Sequence, residues 1–269
     1  MTIGMRGHDL SVHSIEQLST VCGQLGVPTL QLALGKSLPG FRKGLFTPHL
    51  AKSIGASLQE NHVNVTVLGC YINPSEADPE KLENNLSLFE EALKYAKFIG
   101  ADMVGLETGY ATPETAHTEE AYQVLLKNMR RLVSAAEKLG VVIGIEGVHL
   151  FVIDTPEMMR RLLDDLHSPN VCVIFDPCNY LGPHNYQDQD AIMERACKLL
   201  ADDFAVLHIK DYEFQNGEFV YTPPLRGGLH LEKLFALLAQ YKPGLPIILE
   251  EVNEHTYGPT AAAIAQWIR

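Results

Sequence analysis

Two hydrophobic periods alternate along the chain. Short apolar runs occur at TIGM (2–5), Pro28–Leu34, VNVTVLGCYI (63–72), ADMVGLE (101–107), VVIGIE (141–146), VCVIFD (171–176), FAVLHIKD (204–211) and Pro246–Glu251. Between them lie longer stretches whose apolar residues recur at helical spacing. The clearest spans about Pro79–Ile99, where Leu82, Leu86, Phe89, Leu93 and Ala96 share a face and Gly100 is the stop. Another runs from about Thr118 to Leu139, with Leu125, Met129, Leu132, Val133 and Ala136 inward and Gly140 as terminator. Helices are also predicted near Val12–Leu25, after the cap-like pairs Thr47-Pro48 and Thr155-Pro156, near Asp188–Ala201, across 229–241 and over Thr260–Ile268. The stretch 212–228 is a longer excursion with no element assigned to it.

Strand and helix alternate from end to end, with no linker or low-complexity segment. That order predicts a parallel sheet with helical crossovers. Eight such units predict a closed single-domain (β/α)8 TIM barrel over residues 1–269. The length agrees, since roughly 250 residues is usual for such a barrel. An open doubly wound sheet is the alternative, but no topological switch point stands out.

Composition narrows the function. A formal net charge of −12 disfavours a nucleic-acid partner, which calls for excess Lys and Arg. No run approaches the roughly 20 apolar residues of a membrane span. The start, MTIGMRGHDL, lacks a signal peptide's apolar segment, so a cytoplasmic location is expected. The five cysteines form no CxxC pair and suit reduced intracellular thiols.

Candidate chemistry gathers where the apolar runs end. Glu146, Asp176, His208 and Glu250 each close one of four consecutive strands. Active sites of (β/α)8 barrels lie at the C-terminal ends of the strands, so these four residues would line one half of the mouth. A single carboxylate there ordinarily serves as a helix cap or ion-pair partner. Three together would repel unless a cation neutralised them. Three carboxylates and an imidazole suit one divalent ion, with Mn²⁺ expected and Mg²⁺, Co²⁺ or Zn²⁺ as alternatives.

The ordered set Glu146, Asp176 (in FDPCN), His208 (in HIKD) and Glu250 (in ILEE) resembles the xylose isomerase-like barrel superfamily. Within it, the chain is similar to the sugar phosphate isomerase/epimerase group, which includes ketose 3-epimerases, hydroxypyruvate isomerase and inosose dehydratase. The resemblance implies that these four residues bind one divalent metal and that Glu146 and Glu250 exchange protons with substrate. The implied activity is isomerisation or epimerisation of a small sugar, keto-sugar or sugar phosphate through an enediolate. Dehydration of an inosose-type polyol ketone is the alternative, and a sugar- or metal-binding barrel without chemistry is another. The partner is a small sugar or polyol, and self-association into a homo-oligomer stays open.

The secondary expectations are these. His149 contacts a substrate hydroxyl or caps a loop. Asn179 matches a substrate-contacting position of the ketose epimerases. Asp211 orients the His208 imidazole. Glu107 and the Arg6-Gly7-His8 segment, on the opposite half of the mouth, hold the far end of a polyol or sit solvated at the rim. Arg226, where the family often has a G-x-G turn, grips a substrate anion or belongs to its loop. Glu251 competes with Glu250, because a one-residue register shift exchanges interior for exterior. Ala33, Cys70 and Glu107 stand near the places where a trinuclear-zinc DNA-repair relative would need His and Asp, which argues against an endonuclease.

Overall fold

The computed structural model describes residues 2–38, 40–42, 44–215 and 218–268. Eight parallel strands close into a barrel: β1 (Ile3–Arg6), β2 (Thr29–Leu32), β3 (Asn64–Gly69), β4 (Ala101–Glu107), β5 (Ile143–Glu146), β6 (Val171–Phe175), β7 (Phe204–Ile209) and β10 (Ile247–Leu249). Each strand pairs with its neighbours in sequence order, and β1 closes the ring by pairing with both β2 and β10. A hairpin of β8 (Asp211–Gln215) and β9 (Glu218–Thr222) stands apart from the barrel.

The crossover helices begin and end where local chemistry allows. Helix α3 (Pro48–Glu60) is capped by Thr47, α4 (Pro79–Ile99) by Asp78, α5 (Glu119–Leu139) by Thr118 and α6 (Pro156–Leu166) by Thr155. Each cap side chain accepts a first-turn amide that has no helical partner. Gly100 and Gly140 end α4 and α5 in the left-handed conformation that a side chain disfavours.

The structure departs from the periodicity in a few places. Helix α1 (Ile15–Leu25) starts later than Val12, because Ser14 accepts from the Gln17 amide and sets the first turn. Strand β2 stops at Leu32, and a short helix, α2 (Leu34–Ser37), follows. The excursion after β7 folds back on itself as the β8–β9 hairpin, with Tyr212, Phe214 and Phe219 packed together. Helices α7 (Gln189–Leu200) and α8 (Leu231–Tyr241) complete the ring. The last helix, α9 (Tyr257–Ile264), starts before Thr260, because Asn253 accepts the amides of His255 and Thr256 and turns the chain early. Pro259 is tolerated in its first turn, where no amide is needed.

Strand side chains alternate between the barrel interior and the helical layer. Val67, Met103, Ile174, Val206 and Ile248 form a small buried cluster of their own inside the barrel. Gly105 and Gly144 make room for it, since a Cβ at either would come within 3 Å of the Ile174 side chain. The intervening residues, such as Val104, Leu106, Ile143, Ile145, Val173, Phe175, Leu207 and Leu249, join the large core between barrel and helices. Two residues beyond the interior cluster, the next inward position of β6, β7 and β10 falls on Asp176, His208 and Glu250. The same parity brings Glu107 and Glu146 inward on β4 and β5, where they are register partners. A packed hydrophobic plug thus becomes a floor of polar side chains at the C-terminal end.

Candidate active site

Glu146, Asp176, His208 and Glu250 converge above the plug, with one ligand atom from each lying within 4.8 Å of all the others. All four are buried. The His208 Nδ1 is 3.2 Å from a Glu250 oxygen and 3.5 Å from a Glu146 oxygen. Neither ring nitrogen has a hydrogen-bond partner, although the residue is 0% exposed. A wholly buried imidazole with both nitrogens unsatisfied is costly unless something else engages it. Four donor atoms this close together could hold a divalent cation, and the mixed oxygen and nitrogen set accepts several such ions.

Local sequence explains how the ligands are held. In the Asp176-Pro177-Cys178-Asn179 turn, one Asp176 oxygen accepts the amides of Cys178 (2.9 Å) and Asn179 (3.3 Å). Asn179 in turn donates its side-chain amide to Glu146 at 2.6 Å. Glu250 lies at the end of β10, and the following Glu251 adopts a φ of 58°, the left-handed region that L residues rarely occupy. That turn leaves Glu250 inside and sends Glu251 to the rim, 38% exposed at its side chain.

Two cations complete the floor. Lys210, two residues after His208 and therefore on the same face of the chain, donates to Asp176 and, at 3.0 Å, to Glu250. Its ammonium also lies 4.6 Å from the ring centroid of Tyr221, a β9 residue that lines the same cavity. Arg6, at the end of β1, donates to Asp9 (2.9 Å), Glu250 (3.1 Å) and Glu251 (2.7 Å). Burial alone would raise the Glu250 carboxyl, but Lys210, His208 and Arg6 outweigh it and hold it well below the ordinary range. Asp176 goes the other way: burial pushes it up to about 6 against the pull of Lys210. Burial disfavours the protonated His208 and Lys210, yet the facing carboxylates raise both, His208 to about 10. Burial and then Glu146 lift Glu107 to about 7.

A polar cavity of about 150 Å³ opens above this floor. Glu107, His8 and Asn179 line it together with Glu146 and Glu250. Three expected site residues lie elsewhere. His149 lies beside His184, with the rings tilted at 49°, and against Gly182, and it does not line the cavity. Asp211 does not orient His208: it sits in β8, and its carboxylate accepts the amides of Tyr212 and Leu229, tying down the loop that carries Arg226. Arg226 lines a separate outer hollow with Tyr186 and Phe214, away from the four ligands. Arg6 lines the polar cavity as well, as expected of the Arg6-Gly7-His8 segment, whereas Gln31, Lys36, Tyr71, Lys210 and Tyr221 line it without having been predicted there. Lys210 and Gln31 carried a signal in the chain, as polar residues at inward parity in otherwise apolar strands. Tyr71 and Tyr221 carried none, being placed by tertiary folding. A larger, mostly apolar cavity of about 200 Å³ lies behind Tyr71, outside the barrel wall, and holds no carboxylate.

A sequence profile of the xylose isomerase-like TIM barrel family matches residues 9–269. The chain belongs to this family. Among solved structures of the fold, it resembles the IolI protein with a bound zinc atom, at a TM-score of 0.77 and 16% identity, covering 100% of this chain and 98% of that one. It also resembles D-psicose 3-epimerase from Clostridium cellulolyticum H10, solved with D-tagatose, at 0.73 and 16%, covering 100% and 98%. A third is the probable 3-DHS dehydratase AsbF from Bacillus anthracis, at 0.73 and 11%, covering 100% and 99%. At such identities the likeness is one of fold. No curated protein matches the sequence. Among the described residues no helix is long and apolar enough to cross a membrane.

Proposed function

We propose that this member of the xylose isomerase-like family is a divalent-metal-dependent isomerase or epimerase of a small keto-sugar. The observation that carries the reading is the convergence of three buried carboxylates on an imidazole with no hydrogen bond of its own. Glu146, Asp176, His208 and Glu250 would hold the ion, with Mn²⁺ as the first candidate. When bound, such an ion supplies Lewis acidity that polarises a ketone and makes the neighbouring carbon acid stronger. The residues do the rest. Glu250 begins ionised, held so by Lys210, His208 and Arg6, and serves as base towards one face of the carbon. Glu146, steadied by Asn179, serves the other face. Lys210 lies close enough to both ends of the ligand set to balance the charge that develops on the substrate oxygens. Tyr221 lines the cavity beside the Lys210 ammonium.

The test is turnover of ketoses by the Mn²⁺-loaded protein in D₂O. Epimerisation by two carboxylates places deuterium at the carbon next to the carbonyl, in product and eventually in recovered substrate. Product without deuterium would replace proton transfer with a hydride shift. A product lighter by one water would make the protein a dehydratase. Metal binding with neither turnover nor exchange would leave a binding barrel.

A further inference from the structure

The β1–β4 half of the mouth takes no part in the proton transfers just described, yet it is built from buried polar groups. Gln31, on β2, is 1% exposed, and its side-chain Nε2 donates to the Tyr71 hydroxyl. Its Oε1 is buried and has no hydrogen-bond partner. Because the Tyr71 oxygen accepts from Gln31, its own proton is free to point elsewhere, and it donates to none of the described residues. Turning the amide over exchanges these roles: Nε2 becomes the free donor and the Tyr71 oxygen the free acceptor. In either orientation the pair presents one unused donor and one unused acceptor to the cavity.

That combination selects a ligand. An alcohol is both donor and acceptor and satisfies both atoms. A phosphate or carboxylate oxygen accepts only, so it would leave the buried acceptor facing negative charge. The Tyr71 ring is held for the purpose: a Cβ at Gly69 would come 2.8 Å from its Cε2, and the Lys36 ammonium lies 4.9 Å from its centroid. Both residues line the same cavity as Glu146 and Glu250.

We propose that Gln31 and Tyr71 form a subsite that reads a free hydroxyl on the distal part of the substrate. The substrate is then an unphosphorylated ketose long enough to span the mouth from the Glu146–Glu250 side to β2 and β3. A three-carbon hydroxyketone carries no hydroxyl beyond the reacting carbons to offer it, and a distal phosphate ester leaves the subsite unmatched. This rests on the isomerase reading for the orientation of the substrate.

The experiment compares wild type, Tyr71→Phe and Gln31→Met, all loaded with Mn²⁺, on D-psicose, D-psicose 6-phosphate and dihydroxyacetone. Calorimetric Kd and deuterium wash-in are measured for each. Wild type should favour D-psicose over its phosphate. Each variant should raise the D-psicose-to-dihydroxyacetone ratio of Kd and of KM by about tenfold, the worth of one lost hydrogen bond. Unchanged ratios in both variants, or a wild-type preference for the phosphate ester, would overturn the subsite. Absence of exchange with every ketone, alongside D-psicose binding that weakens in both variants, would sink the isomerase reading and keep the subsite.

Discussion

The two halves of the barrel mouth share one backbone geometry and use their polar atoms differently. On the β5–β10 side, charges face charges: Glu146, Asp176 and Glu250 surround His208, and Lys210 ties two of them together. On the β1–β4 side, the uncharged Gln31 and Tyr71 share the cavity with His8, Glu107 and the cations Arg6 and Lys36, and two of the buried atoms there have no partner. The difference separates two tasks. Groups that move protons or hold a cation need strong, mutually tuned charge. Groups that recognise a hydroxyl need unspent donors and acceptors at fixed positions.

The sharpest way to break this comparison is on the charged side. Glu146→Gln and Glu250→Gln should each lower the rate of epimerisation by about 10²–10⁴-fold. One of the two should still allow exchange into a single epimer, because one base can serve one face. Epimerisation at the wild-type rate in either variant would remove that residue from proton transfer.

Lys210→Met should be the most damaging to stability. It leaves Asp176 without its buried counter-charge and Glu250 with only Arg6 and His208, a loss of about 3–5 kcal/mol in chelator-treated protein by urea unfolding. Added Mn²⁺ should restore part of it. An undiminished unfolding midpoint would mean that the ammonium is dispensable to the floor.

His208→Ala should weaken Mn²⁺ binding by at least about tenfold while the barrel stays folded. Metal analysis of the purified variant checks this, and a full equivalent of metal would take His208 out of the ligand set.

The β1–β4 side has its own signature in pH. Burial, aided by the nearby Arg6 and Lys36, lowers the His8 imidazole from 6.5 to about 4. Between those values the unfolded chain holds a proton that the native state does not, so stability should rise with pH across the window. The effect is about 1–3 kcal/mol, and His8→Gln should flatten it. An NMR titration that finds His8 near 6.5 would contradict it.

Arg226→Ala should have the smallest effect. Its hollow is separate from the cavity, so KM should change less than about twofold for phosphorylated and unphosphorylated ketoses alike. A rise confined to the phosphate ester would return Arg226 to the site.

The chain by itself determined the alternation of apolar runs and amphipathic helices, and with it the closed barrel. It also determined the charged half of the mouth. A strand's side-chain parity is a local property, so a carboxylate or imidazole at the end of an apolar run is delivered to the C-terminal face whatever surrounds it. Lys210 was legible on the same ground, lying two residues beyond His208. Tertiary structure decided everything that depends on where a loop goes after its strand. The left-handed turn at Glu251 keeps Glu250 inside and sends its neighbour to Arg6. The amides of Tyr212 and Leu229 draw Asp211 away from His208 and carry Arg226 to an outer hollow. Gln31 and Tyr71 meet although 40 residues separate them, because pairing of β2 with β3 and the open space over Gly69 bring an amide against a phenol. Such meetings are set by non-local packing and hydrogen bonding, which no period in the sequence records.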